Sequence, residues 1–172
     1  MSVEIASVST NDDIDCVATL AREIWTEHFT PIIGEQQVKY MLMKFQSADA
    51  IKSQIDSGWE YYLAKFENEW VGYIGLSPDL KNNRMVLSKI YTKSSVRGKG
   101  IGRSMLEYVE DKCVSEKFSS IWLTVNRFND GPISWYKRRG FSVIDEVKKD
   151  IGGDFFMDDY IMEKKFEHDP FL

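Results

Sequence analysis

The stretch Arg97-Gly98-Lys99-Gly100-Ile101-Gly102-Arg103-Ser104 constrains this chain more than any other. A strand-like run, Met85 to Thr92, precedes it, and a helical pattern follows from about Gly100 to Glu116. Glycines let backbone amides turn inward, and a helix N-terminus adds partial positive charge, so the junction suits an anion. Arg97 and Lys99 add charge-assisted contacts to phosphate oxygens. Taken alone, a Gly-x-Gly loop is better read as a turn with solvated basic side chains, since such matches are weak. Two phosphate signatures are excluded. A Walker loop needs Lys followed by Ser or Thr, and Lys99 is followed by Gly100. The dinucleotide fingerprint needs a glycine where Arg103 stands, and an acidic residue closing the next strand, which ends Thr124-Val125-Asn126.

Periodicity around the loop predicts one α/β domain spanning 1–172. Val3 to Val8 alternates like a strand, and Asn11-Asp12-Asp13 offers caps for a helix with stripe Ile14, Val17, Ala18, Ala21, Ile24 and Trp25. Thr30-Pro31 and Gly34 are expected to break it. A second helix runs from about Glu35 and carries Val38, Met41, Leu42 and Phe45; Ser47 caps a third. Tyr61 to Phe66 and Trp70 to Leu76 read as an antiparallel hairpin, followed by a polar loop from Ser77 to Arg84. The helix after the glycine loop buries Ile101, Met105, Tyr108, Val109 and Cys113. Ile121 to Val125 is a strand, Pro132 to Arg138 a short helix ended by Gly140, and Phe141 to Val147 pairs with Phe155 to Phe166 across Gly152-Gly153.

Composition narrows the function. Twenty-two Lys and Arg against 27 Asp and Glu give a net charge of −5, a poor footprint for nucleic acid and a comfortable one for a cationic small molecule. No apolar run approaches the ~18 residues of a membrane helix, and no signal peptide is visible, so a cytoplasmic location is expected. Two cysteines, Cys16 and Cys113, and two histidines, His28 and His168, are too few for a disulfide scaffold and argue against a metal centre.

The spacing Arg97-x-x-Gly100-x-Gly102 resembles the pyrophosphate loop of the GNAT superfamily of acetyl-CoA-dependent N-acetyltransferases. Asn129 followed by Ile133-Ser134-Trp135-Tyr136-Lys137-Arg138-Arg139-Gly140-Phe141 looks like that family's second segment. Ile90-Tyr91, Ile121-Trp122-Leu123 and Asp159-Tyr160-Ile161-Met162-Glu163-Lys164 resemble the PaiA-type spermidine/spermine acetyltransferases within it. The resemblance implies a mixed, mostly antiparallel central sheet with splayed central strands and flanking helices. It implies acetyl-CoA as co-substrate: amides of Gly98, Lys99, Gly100, Ile101 and Gly102 on the pyrophosphate with Arg97, the backbone of Ile90, Tyr91 and Thr92 on the pantetheine arm, and Asn129 beside it. Tyr136 matches the tyrosine that serves as general acid for the departing thiolate. The acceptor implied is a primary amine, a polyamine in the nearest subgroup, and a second copy of the chain is among the partners such a domain takes.

The chain departs from the family pattern in places. Pro132 stands where an alanine is usual, tolerable at a first helical position. Val86 and Ser88 fill places where a glutamate often assists amine deprotonation, leaving the general base unassigned. His28, Glu27, Asp79 and Asp154 are unranked substitutes. The missing glutamate keeps a non-catalytic CoA-binding module open as a second reading. Neither cysteine has a histidine nearby in sequence, so both are expected to be quiet structural thiols.

Overall fold

The computed structural model describes residues 2–167, so His168 lies outside the described residues. The elements run β1 (Glu4–Ser7), α1 (Asn11–Ile33), α2 (Glu35–Phe45), α3 (Ala48–Asp56), β2 (Glu60–Phe66), β3 (Glu69–Asp79), β4 (Arg84–Thr92), α4 (Ile101–Ser115), β5 (Ser120–Asn126), α5 (Asp130–Arg138), β6 (Ser142–Gly152) and β7 (Phe155–Lys165). The strands form one seven-stranded sheet in the order β1-β2-β3-β4-β5-β7-β6. β1–β2, β2–β3, β5–β7 and β6–β7 pair antiparallel, whereas β4 and β5 run parallel. The chain divides into two compact units, Met1–Ser77 with Ser88–Val109, and Pro78–Leu87 with Glu110–Leu172. No helix among the described residues is long and apolar enough to cross a membrane.

In the first unit α1 forms because its apolar residues recur at helical spacing: Ile14, Val17, Leu20, Ala21, Ile24, Trp25 and Phe29 are buried. Its cap is Thr10, one residue earlier than expected. The Thr10 hydroxyl accepts from the Asp13 amide, and the Asp13 carboxylate returns a bond to the Thr10 amide, a capping box. The break expected at Thr30-Pro31 does not occur, since Pro31 lies inside α1 and the helix continues to Ile33. Its ring falls in the last turn, and the closing bond from the Gly34 amide to the Thr30 carbonyl is unaffected. Gly34, at φ 88°, ends the helix as expected. Ser47 caps α3 by accepting from the Ala50 amide. Glu67 and Asn68 take φ of 52° and 64°, the paired positive values of a two-residue hairpin turn between β2 and β3. β3 reaches Asp79 and β4 starts at Arg84, so the polar loop is shorter than the Ser77 to Arg84 expected.

In the second unit the β4–β5 ladder runs from Arg84↔Ser120 to Val86↔Trp122, short of either strand's end. α5 begins at Asp130, which puts Pro132 third rather than first in the helix. The position is still harmless: the first intrahelical bond is donated by Ile133, so the amide that proline lacks would be unpaired anyway. Gly140, at φ 95°, follows the helix end as expected. Cys113 is fully buried and Cys16 partly buried; burial pushes the Cys16 thiol up, first by desolvation and then through Asp13. A raised thiol pKa makes a poor nucleophile.

Candidate functional site

The glycine loop sits in the first unit, between the 3-10 turn Ser94–Val96 and the start of α4. Gly98 and Gly100 adopt φ of 79° and 78°, and a Cβ on either would meet nothing within 4 Å. Their requirement for glycine is therefore conformational, and the space before them is open. Gly102 lies in the first turn of α4. Open space, positive-φ glycines and the amino end of a 15-residue helix fit a pyrophosphate group. Arg97 and Lys99 are exposed beside it. The Lys99 ammonium lies 5.8 Å from the centre of the Phe66 ring.

The loop is tied to α1. Arg97 Nη2 donates to His28 Nδ1 at 3.1 Å, because a guanidinium has no acceptor. Ser94 Oγ donates to Glu27 Oε1 at 2.6 Å, and Lys93 Nζ lies 3.5 Å from Glu23 Oε2. His28 also sets its ring edge-on to Phe29. His28 and Glu27 thus have structural partners. Asp79, another unranked base, is held by Asn82 and by Arg84 at 2.9 Å, and the Asn82 hydrogen bond leads in lowering its pKa. Asp154, at φ 63°, occupies the β6–β7 turn.

Ile90, Tyr91 and Thr92 close β4. The Tyr91 ring packs in an aromatic group, 5.6 Å from Trp25, 5.4 Å from Tyr73 and 6.0 Å from Phe29. Gly72 on β3 permits this packing, since a Cβ there would stand 2.5 Å from the Tyr91 carbonyl oxygen.

Sequence reasoning missed Lys89. It lies on β4 one residue before Ile90, only 4% exposed. Its ammonium donates to the Phe45 carbonyl at the end of α2 and to Gln54 Oε1 on α3 at 3.1 Å. It also stands 5.2 Å from the Tyr61 ring centre and 5.5 Å from that of Trp59. Gly75 makes room, as a Cβ there would come within 3.3 Å of the Lys89 stem. These partners are carbonyl and amide oxygens and ring faces. Burial pulls Lys89 from 10.5 down to about 7. The signal was its parity, for Lys89 shares a strand face with buried Met85 and Leu87.

A depressed lysine pKa means that the unfolded chain binds more protons between about 7 and 10.5. Stability therefore rises with pH through that window. Thermal melts of the parent and Lys89→Met should show the parent gaining on the variant from neutral pH upward. A constant difference between the two melting temperatures would refute the depressed pKa.

In the second unit, Asn129 holds the N-cap position of α5 and is 7% exposed, but its side chain makes no capping bond. Tyr136 is 8% exposed, between Trp135 at 5.2 Å and Phe141 at 5.3 Å. Burial pushes its phenol above the usual range. Asp159 was also missed. It is 4% exposed on β7, and burial first, then Asp158, push it up to about 6 against the pull of Arg127.

A model of the acetyltransferase (GNAT) family matches residues 20–141, and the chain belongs to that family. It is an N-acetyltransferase that takes its acetyl group from acetyl-CoA. The chain is 27% identical over 172 residues to a spermidine N(1)-acetyltransferase of Thermoplasma acidophilum, covering 97% of this chain and 99% of that one. An uncharacterised N-acetyltransferase of Lactobacillus delbrueckii subsp. lactis is 26% identical over 169 residues, covering 94% and 96%. Among solved structures, the PaiA N-acetyltransferase of Thermoplasma acidophilum in complex with coenzyme A superposes with a TM-score of 0.79 at 26% identity, covering 96% of this chain and 100% of that one.

Proposed function

We propose that the acceptor is a polyamine of the spermidine class, acetylated on a primary amine by direct attack on acetyl-CoA in a ternary complex. The whole chain acts as a single catalytic domain. The observation that carries the cofactor side is the pair of positive-φ glycines, Gly98 and Gly100, facing open space at the head of α4. Their amides, with those of Lys99, Ile101 and Gly102, hold the pyrophosphate, and Arg97 and Lys99 add charge. The backbone of Ile90 to Thr92 takes the pantetheine arm, Asn129 contacts it, and Tyr136 donates its proton to the leaving thiolate. On the acceptor side, support comes from the spermidine-acetylating relative aligned over nearly the whole chain and from the net charge of −5.

Thiol release from acetyl-CoA against spermidine, spermine, a peptide amine and an aminoglycoside tests the proposal. Turnover with spermidine or spermine well above the others is expected. CoA binding without thiol release for any amine would favour the non-catalytic reading.

The basic residues of the loop make a separate prediction. Arg97→Ala and Lys99→Ala should weaken CoA binding more at low salt than at high salt, because screening shrinks the lost Coulomb attraction. Turnover at saturating cofactor should change little. Calorimetric titration at two ionic strengths reads this, and a salt-independent loss would contradict a phosphate contact.

A further inference from the structure

Side chains alternate along β7, and the alternation isolates Asp159. Asp158 and Tyr160 share one face of the sheet with Arg127, which binds Asp158 at 2.7 Å, approaches Glu146 at 3.6 Å and lies over the Tyr160 ring. Asp159 takes the opposite face and is almost wholly buried. Among the described residues, no group makes a hydrogen bond to its carboxyl. A buried carboxyl without a donor is costly, and an apolar or amide side chain would fill the same place at less cost. Groups left in this state gather where a ligand supplies the missing partner.

The position is specific within the second unit. Asn126↔Asp159 is the last pair of the β5–β7 ladder. Beyond it the chain turns. The Asn129 amide donates to the Asn126 carbonyl at 2.9 Å, the Phe128 amide to Asn126 Oδ1 at 3.0 Å, and the Arg127 amide to the Asp158 carbonyl at 3.0 Å. The turn that presents Asn129 therefore stands on the ladder end that Asp159 occupies, and α5, which carries Tyr136, starts from that turn. Val147 flanks Asp159 on the other side, and the charged groups one pair away on the same face, Asp145 and Lys149, are exposed.

We propose that Asp159 is the general base of acetyl transfer, taking a proton from the attacking nitrogen of the acceptor amine. This rests on the reading that acetyl-CoA lies along Asn129 and Tyr136. The amine enters in its neutral form. As its lone pair forms the C–N bond to the acetyl carbon, the nitrogen becomes acidic, and one of its two protons passes to the Asp159 carboxylate. The C–S bond breaks and Tyr136 protonates the departing sulfur. The proton on Asp159 then returns to the phenolate through solvent, leaving amide and free thiol. Val86 and Ser88 offer no carboxylate for this step. Burial first, then Asp158, lift Asp159 to about 6, so it is ionised at neutral pH yet binds a proton readily.

The test is single-turnover acetylation of spermidine, or of whichever amine in the panel the parent turns over fastest, by the parent and Asp159→Asn. The rate should fall by ~10²-fold or more, with the CoA dissociation constant unchanged within about twofold. The raised pKa makes ionisation of Asp159 destabilising as pH rises through about 6, so at pH 7 the variant should melt no lower than the parent. Asp158→Asn makes the same change one residue away on the other face. It weakens the bond to Arg127, so it should lower the melting temperature and keep the rate within about threefold. If Asp159→Asn fails to fold, Asp159→Ala is assayed with added formate, which should restore the rate at least about tenfold. A wrong acceptor class shows in the parent's own panel, whereas a wrong base shows only in the variants. An Asp159→Asn rate within about threefold of the parent, a defect confined to the KM for the amine, an equal loss in Asp158→Asn, or an alanine variant that formate leaves unchanged would each overturn the proposal.

Discussion

Tyr136→Phe is expected to slow acetyl transfer by about 10²-fold or more, the usual share of a positioned general acid. The substitution is nearly silent for packing, since a phenyl ring keeps the contacts to Trp135 at 5.2 Å and Phe141 at 5.3 Å. Only the donor is lost. Acetyl-CoA affinity should hold, because ground-state binding does not use that proton, and kcat and kcat/KM should fall together. Burial raises the Tyr136 pKa, so the phenol stays protonated through any ordinary assay range. No loss of rate below pH ~10 should then trace to its ionisation. The raised value also makes it a weaker acid than a free phenol. Full transfer to a thiolate whose conjugate acid lies near ~8.5 is uphill unless the nucleophilic amine loses its proton in the same process. Product release can hide part of the defect in steady state, so single-turnover quench is the proper measurement. With a confirmed amine, an unchanged single-turnover rate would remove Tyr136 from the chemistry.

Most of the fold was legible because its elements carry clean periods. The α1 stripe, the hairpin across Glu67-Asn68 and the cap at Ser47 follow from spacing and side-chain chemistry that tertiary contacts do not override. Boundaries failed where one residue was given too much weight. Pro31 reads as a breaker, yet proline in a last helical turn leaves the closing bond from Gly34 intact. Thr10 was passed over for the Asn11-Asp12-Asp13 run, although Thr10-x-x-Asp13 has the spacing of a reciprocal cap. For the site, the glycine loop was legible since positive φ and close backbone approach demand one residue type. Lys89 was not, because a lysine in a strand is ordinarily taken as solvent-facing, even where its parity with Met85 and Leu87 sets it on the buried face. The space left by Gly75 and the oxygens of Phe45 and Gln54 come from β3, α2 and α3, which no local pattern links to position 89. Asp159 escaped for a similar reason, as its desolvation is a property of the folded sheet.

Gly100→Val should reduce CoA affinity by about 30-fold or more while the chain stays folded. Gly100 adopts φ of 78°, a region that a β-branched residue enters only at a cost of order 1–3 kcal/mol. The loop relieves this strain most simply by rotating out of the left-handed region, which turns its amides away from the phosphate position. A Cβ at residue 100 would also project into the open space before α4, where no protein atom lies within 4 Å. Strain and obstruction act in the same direction, so a graded series separates them. Gly100→Ala carries most of the conformational cost with less bulk, and its affinity should fall between parent and valine. A control is needed for strain alone. Gly58 has φ of 105° and likewise nothing within 4 Å, but it lies between α3 and β2, away from the loop. Gly58→Ala should lower the melting temperature and leave the CoA dissociation constant unchanged. Calorimetric titration with CoA reads all three variants. Should Gly100→Val fold and bind CoA like the parent, the left-handed turn at Gly100 would have no part in holding the pyrophosphate.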